Sequence, residues 1–398
     1  MQTKYGLPEK VIFCKKCVTS NQRPSSSPEH KKKDSKIPTI GFGPDGVCDA
    51  CKYFEYKSSK IDWNVREAQL KELLDKYRRN DGRFDVIVPG SGGKDSIFVA
   101  HVLKYKYGMH PLTVTWAPHM YTDIGWKNHQ AWTRTGFDNI LVTHNPKVHG
   151  ILTRLAFENL VNPFQPFIIG QKNTAPRVAL QYDIPLIVYG ENPAEAHNSI
   201  KETESPLMDV KHYTRESEAD SLFFGGVPME ELGQYGISKA DLFYYIPLLR
   251  DQIEAAKIQV HYMSYYHNWS PQEHYYYAKE NSDFESNPDG RSEGTYTKFA
   301  SLDDKIDGQN YYTMHVKFGQ GRAVSDASRD IRDGYVSREE GVDLVRKYDG
   351  EFPKKYFKEV LDFMQITEER YWEVIDNARS PHLWEKKSDK WELMHPTR

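Results

Sequence analysis

This sequence predicts an α/β fold: a doubly wound parallel sheet preceded by a small cysteine-bearing module and followed by a mainly helical region. Two observations predict it. Between residues 84 and 189, short apolar runs alternate with amphipathic runs long enough for helices, which is the pattern of βαβ units. The small-residue run Gly90-Ser91-Gly92-Gly93 stands where the first apolar run gives way to the first amphipathic one, so a strand turns tightly into a helix there. The expected extents are 1–60 for the cysteine module, 61–215 for the α/β domain and 216–398 for a helical, aromatic-rich region.

The elements follow in order. Residues 84–89 read as the first strand, and 97–107 as its helix, with His101, Lys104 and Lys106 marking the polar side. Leu112-Thr113-Val114-Thr115-Trp116 lies in a second strand over 111–116, followed by a helix near 124–135. A third strand covers 139–143, with helical patterns over 148–160 and 171–182. A fourth covers 184–189 and ends at Gly190-Glu191-Asn192. Ligands of such sheets bind beyond the carboxyl ends of the strands, at the point where the strand order reverses. That rule gathers the Ser91 loop, Thr115-Trp116 and Gly190-Glu191 around one crevice.

A glycine-rich strand-to-helix turn exposes backbone N–H groups and aims a helix N-terminus at its ligand, which suits polyphosphate. The loop is not a Walker A motif, which would require Gly at Val88 and Ser or Thr at Asp95. Ser91-Gly92-Gly93-Lys94-Asp95-Ser96 instead resembles the loop of the PP-loop ATP pyrophosphatases, of the adenine nucleotide alpha hydrolase (HUP-like) type. The resemblance implies cleavage of ATP between its α and β phosphates, with adenylation of an acceptor oxygen.

Ser91, Gly92, Gly93 and Ser96 are then expected to cradle pyrophosphate. Lys94 either neutralises phosphate charge or points to solvent. Asp95 would repel phosphate directly, and a magnesium ion between them resolves the conflict. Thr115 and Trp116 would bracket adenine, unless Trp116 is a core residue. Gly190 completes the nucleotide-binding set. Glu191 is placed to take a proton from an attacking amine, or else caps a helix or orients a metal. Glu195, one helical turn along, is a further magnesium candidate.

All four cysteines fall in two C-x-x-C pairs, Cys14/Cys17 and Cys48/Cys51, a set that suits tetrahedral zinc. The thirty residues between the pairs exceed the usual ~15–20. The lysine-rich stretch around 25–36 reads as a floppy insert that accounts for the excess. Four thiolates leave no open position, so the zinc-ribbon-like module is structural; a redox dithiol or disulfide is the alternative. From residue 52 onward there is no cysteine. The chain therefore lacks both a glutaminase nucleophile and the additional cysteine that transfer-RNA thiolation needs. If glutamine is the nitrogen source, another polypeptide hydrolyses it.

Net charge is −3, which implies no strongly basic face for nucleic acid, although a local patch is compatible with that sum. No apolar run approaches the ~18 residues of a membrane helix, and the first residues lack a signal peptide's apolar stretch. A cytoplasmic enzyme with no membrane insertion is the expectation. The aromatic cluster over 262–277 suits a sugar- or base-binding surface or packing between helices. Residues 351–398 read as charged and helical, with Trp372, Trp384 and Trp391 as packing anchors.

Beyond the loop, several stretches carry a more specific likeness. Thr19-Ser20-Asn21-Gln22-Arg23-Pro24, Asp45-Gly46-Val47-Cys48-Asp49-Ala50-Cys51, Pro271-Gln272-Glu273, Glu293-Gly294-Thr295-Tyr296-Thr297-Lys298 and Ser325-Asp326-Ala327-Ser328-Arg329-Asp330-Ile331-Arg332 are among them. Together they resemble the N-acetyl sugar amidotransferase family, over nearly the whole chain. The resemblance implies ATP-dependent conversion of a sugar's acetamido group to acetamidino in bacterial surface glycan biosynthesis. It also implies a separate glutaminase and a cyclase-like, ammonia-delivering partner. In that chemistry Asp95 and Glu191 would serve catalysis, with Lys298 stabilising pyrophosphate from across the cleft. An asparagine-synthetase-like ligase acting on a carboxylate and a transfer-RNA-modifying enzyme are the alternatives.

Overall fold

The computed structural model describes residues 3–398. Its centre is a five-stranded, wholly parallel sheet of β1 (Val86–Pro89), β2 (Pro111–Trp116), β3 (Asp138–Val142), β4 (Leu186–Tyr189) and β5 (Gln259–Tyr262), in the order β3-β2-β1-β4-β5. Strand order reverses between β1 and β4, so the switch point lies between Pro89 and Tyr189.

Alternation along the strands sends side chains to both faces. Val86, Val88, Leu186 and Val188 pack with Leu70 and Leu74 of α1 (Trp63–Tyr77), Val99 of α2 (Lys94–His101) and Trp132 of α3 (Asp123–Arg134). Ile87, Ile187, Leu112, Val114 and Val260 pack on the other face with Ala175, Val178 and Ala179 of α5 (Gln165–Tyr182). Between them in sequence, α4 (Pro146–Leu160) buries Val148, Leu152 and Leu155 beside Trp116. The expected doubly wound architecture is present.

Helix starts follow local chemistry. Asp62 caps α1 by accepting from the Asn64 and Val65 amides at 2.9 and 3.4 Å. Thr122 caps α3 through Gly125 at 2.9 Å, and Asn145 caps α4 ahead of Pro146. The helix after the glycine loop begins at Lys94, three residues before the sequence suggests, and continues beyond His101 as a wider π turn over Val102–Lys106.

The sheet takes its fifth strand from beyond residue 215, and α6 (Pro271–Asn281) returns from it to pack on α2. The aromatic cluster is thereby packing: Tyr266, Trp269 and Tyr275 enter the core on one face and Tyr262 on the other. Helices α7 (Asp307–Phe318), α8 (Arg322–Asp333), α9 (Arg338–Tyr348), α10 (Phe357–Met364) and α11 (Glu368–Ala378) form the C-terminal region. It ends in an antiparallel hairpin, Trp384–Lys387 with Lys390–Leu393, where helix was expected. Trp384 is buried against Phe318 and Leu7.

The cysteine module docks on this region. Val18 packs with Val324, Ala327, Val342 and Val345, and Gln320 bonds to Thr19 and Ser20. The lysine-rich insert is packed and not floppy. His30 stacks edge-on to Phe224 at 5.0 Å, Gln165 donates to the Glu29 carbonyl at 2.6 Å, and the Ser26 amide donates to Asn198 at 3.1 Å. Among the described residues, no helix is long and apolar enough to cross a membrane.

Candidate active site

The loop leaving β1 is held tightly against α3. Gly92 has φ +86°, and a Cβ there would lie 2.5 Å from the Cα of His129. Gly93 stands at the N-cap of α2, so the first-turn amides of that helix face the cleft, and Ser96 donates to the Gly93 carbonyl at 2.9 Å.

Lys94 and Asp95 open the helix, with Lys94 Nζ 2.5 Å from the Asp95 carboxylate. His274, on α6, donates from Nδ1 to the other Asp95 oxygen at 2.9 Å. Burial alone would raise the Asp95 carboxyl, but Lys94 and His274 outweigh it and hold the carboxyl below its usual range. A partly exposed, ionised carboxylate beside the loop fits a cation shared with phosphate oxygens.

Three large cavities meet around Glu191. One, of about 320 Å³, lies over the loop from Ser91 to Asp95 and is walled by Asn128, Asp303, Arg322 and Arg329. A wider one, about 920 Å³, lies on the β4 side of the loop, with Ile168, Tyr189, Leu207, Met208 and Tyr262 among its walls and Ser26, Ser27 and Glu29 of the insert at its rim. The third, about 290 Å³, lies between the cysteine module and α8. Glu191 borders all three and forms an ion pair with Arg329.

Not every predicted residue reaches this junction. Gly190 does, and it must be glycine: a Cβ there would be 2.7 Å from the Trp269 ring. Thr115 does not. Its hydroxyl is fully buried, 3.3 Å from His129 and 3.1 Å from Asn139. Trp116 is 4% exposed in the core, set against Gly170 and edge-on to Tyr245, and borders none of the three cavities. Lys298 is exposed with its ammonium over the Tyr275 ring at 5.3 Å, outside the cavities, whose walls carry Arg322 and Arg329 instead. Glu195 is turned to the buried Lys57, 3.4 Å away, and accepts from Ser264 at 2.6 Å. Its carboxylate is thus engaged away from the phosphate loop, and burial raises its pKa.

Arg322, Arg329, His274 and Asp303 also belong to the site, outside the set expected from the sequence. Arg322 is fixed by Asp326 at 2.8 Å, and burial raises the Asp303 carboxyl next to Ser91. The arginines do carry a local signal: Arg322, Arg329 and Arg332, with Ser325 between the first two, fall at helical spacing, which puts three guanidinium groups and a hydroxyl on one face.

Cys14, Cys17, Cys48 and Cys51 are buried, and their sulfurs all lie within 4.8 Å of one another. Cys14 and Cys51 are 3.9 Å apart, and Cys17 and Cys48 3.7 Å. Zn–S bonds of ~2.3 Å in a tetrahedron require a sulfur–sulfur edge of ~3.8 Å, so the set fits zinc without rearrangement. None is in a disulfide.

Residues 293–398 match the family described as LPS biosynthesis protein WbpG-like, C-terminal domain. That WbpG-like segment contains Arg322 and Arg329 and the terminal hairpin. No curated protein matches the chain. Among solved structures, the chain is similar to NMN synthetase from Francisella tularensis, with a TM-score of 0.26 and 14% identity over 56% of this chain and 87% of that one. It is also similar to the U34-tRNA thiolase NcsA from Methanococcus maripaludis, determined with its [4Fe-4S] cluster, with a TM-score of 0.24 and 12% identity over 57% of this chain and 71% of that one.

Proposed function

We propose that this chain is an ATP-dependent N-acetyl sugar amidotransferase, forming AMP and pyrophosphate, that converts an acetamido group to acetamidino for lipopolysaccharide or a related surface glycan. The observation that carries this reading is the position of Glu191. It stands at the switch point, beside the Ser91 loop and between a nucleoside-sized cavity and two arginine-walled ones. The WbpG-like match of the last segment supports the pathway class.

ATP would lie with its nucleoside against Ile168, Tyr189 and Met208 and its terminal phosphates on the loop amides, Ser91 and Ser96. An amide carbonyl is a poor electrophile, and transfer of AMP to its oxygen activates it. The amide oxygen attacks the α-phosphorus, the bond to the β-phosphate oxygen breaks, and pyrophosphate is left on the loop. Lys94 on one side and Arg322 with Arg329 on the other meet the charge that develops. Asp95 would hold a magnesium ion, which would supply neutralisation of the phosphate oxygens. Ammonia then adds to the activated carbon, Glu191 accepts a proton, and AMP leaves with the former amide oxygen. Arg329 orients Glu191 for that role.

All four cysteines are committed to the buried cluster, which leaves none as a glutaminase nucleophile; the family resemblance supports a separate glutaminase and a cyclase-like partner that delivers ammonia. Zinc in the cluster would contribute stability to the N-terminal module. The test is AMP release from magnesium-ATP and ammonium chloride against a panel of free, UDP-linked and CMP-linked acetamido sugars, with mass spectrometry of the sugar. AMP formed with one sugar, and a product in which NH replaces O, is the expected result. AMP formed only with a carboxylate acceptor identifies an amide ligase instead.

A further inference from the structure

The 290 Å³ cavity between the cysteine module and α8 is built around guanidinium groups. Arg23, Arg322, Arg329 and Arg332 line it, and the carboxylates in its wall are Glu191 and Asp326. Both carboxylates are in ion pairs, with Arg329 and Arg322 respectively, Asp326 through Oδ1 alone, its Oδ2 being buried with no hydrogen-bond partner. Among the described residues, Arg23 and Arg332 form no ion pair with a carboxylate; the negative charge that reaches Arg332 comes from the thiolates of Cys17, Cys51 and Cys48 behind it and from Asp333, which raise its guanidinium against burial.

Arg23 is 8% exposed. Its Nε–H donates to Nδ1 of His197 at 2.6 Å, so that imidazole accepts and brings no negative charge. Burial and the charges of Arg332, Arg329 and Arg322 depress the Arg23 guanidinium to about 10, with Cys17 acting against the shift. Burial and the same guanidiniums, Arg322 aside and Arg23 included, hold His197 well below its ordinary value. Ser328, 3% exposed on the cavity-facing side of α8, has a hydroxyl with no protein partner.

A buried cluster of like charges with an unpartnered hydroxyl is costly unless an anion completes it. We propose that this cavity is an oxyanion subsite for the acceptor, in which Arg23, Arg332 and Ser328 bind a phosphate or carboxylate carried away from the reacting amide. The designation as acceptor site rests on the amidotransferase reading; the anion site stands on the cavity itself. It opens onto the loop cavity through Glu191, Arg322 and Arg329, which border both. An elongated, negatively charged molecule can therefore reach the loop from this side while ATP occupies the wide cavity on the other.

The test uses the full chain saturated with α,β-methylene-ATP, so that the loop is filled. Calorimetry then measures binding of UMP and inorganic phosphate in one arm and N-acetylneuraminate in the other, with neutral N-acetylglucosamine as the control. Binding of one oxyanion class is expected, weakened about tenfold or more in Arg23→Lys, Arg332→Gln and Ser328→Ala, as loss of a charge-assisted hydrogen bond requires. Zinc content and circular dichroism of each variant establish that the module is intact. No oxyanion binding by the wild type, or binding unchanged in Arg332→Gln and Ser328→Ala, overturns the proposal. If oxyanions bind but the ATP analogue does not, the subsite stands and the ATP-dependent reading fails.

Discussion

His274 donates its Nδ1 proton to Asp95 at 2.9 Å, across 179 residues of sequence and between two helices packed on one face of the sheet. The imidazole is 1% exposed as a side chain and stacks on Phe98 at 4.1 Å, so the ring cannot follow the carboxylate if the loop moves. Asp95 is therefore fixed from both sides, by Lys94 and by His274. Asp95→Asn is expected to lower kcat/KM for AMP formation ~10²–10³-fold at an unchanged fold. His274→Gln is expected to cost less, ~10-fold, and to raise the magnesium concentration needed for half-maximal rate. Magnesium titrations of both variants check this. An Asp95→Asn enzyme with wild-type turnover would remove Asp95 from the chemistry.

The four cysteine sulfurs predict one zinc per chain, measurable by plasma mass spectrometry on protein purified without added metal. Cys48→Ser is expected to abolish stoichiometric zinc and lower Tm by ~5–10 °C, since structural metal binding is folding free energy. Because Val18 and Gln320 couple the module to α8, the same variant is expected to weaken activity even though no cysteine reaches the loop.

Gly92 combines a positive φ with backbone of α3 where a side chain would go. Gly92→Ala is expected to cost ~1–3 kcal/mol of stability and to lose ATP binding, because relief of the clash pushes the loop off α3. Gly93 offers a matched control: it lies in the same loop, at negative φ, and its Cβ position meets only the Ser91 hydroxyl at 4.0 Å. Gly93→Ala is expected to cost markedly less stability. Equal Tm losses in the two variants would contradict the packing argument.

His30 fastens the lysine-rich insert by its imidazole, which faces the Phe223 carbonyl at 3.1 Å and the Phe224 ring. Burial lowers its pKa to about 4, with Phe223 and Glu29 acting against the shift and Lys172 with it. Between pH 6.5 and about 4 the unfolded chain binds a proton that the folded chain does not. Stability from this group is thus full above pH 6.5 and is lost as pH falls through that window. His30→Gln is expected to flatten the corresponding part of the stability–pH curve, read by urea unfolding at several pH values.

What the sequence revealed was what short stretches encode by themselves. The cysteine pairs and the Ser91–Ser96 loop are fixed by spacing, and the structure turns them into a tight sulfur cluster and a strand-to-helix turn. Trp116 was legible only as a strand end; which face it takes depends on Gly170 in a helix fifty-four residues later. Strand β5 is four residues, Gln259-Val260-His261-Tyr262, half of them polar, too short for a periodicity to register. Lys298 stood in a conspicuous motif, yet the positive charge that faces Lys94 across the cavity comes from α8, a choice made by the docking of the C-terminal region. The helical spacing of Arg322, Arg329 and Arg332, and the stretch over 325–332 that holds two of them, pointed there.

Glu191 separates the two halves of the proposed reaction, and that makes its role testable. Adenylation of the acceptor needs the loop, Asp95 and the arginines, whereas a proton is removed only once ammonia has added. Glu191→Gln keeps the volume and leaves Arg329 with an amide oxygen to bond, so the local geometry should persist. Amidine formation is expected to fall ~10²–10⁴-fold, the usual contribution of a general base, while acceptor-dependent exchange of labelled pyrophosphate into ATP continues at near wild-type rate. Arg329→Met should do the opposite. Loss of a guanidinium from the loop cavity slows the exchange itself, because charge on the departing pyrophosphate is no longer met. If Glu191→Gln abolishes exchange as fully as amidine formation, the carboxylate holds Arg329 for adenylation and the base lies elsewhere, with Asp303, beside Ser91 and raised by burial, as the carboxylate next in reach of the loop.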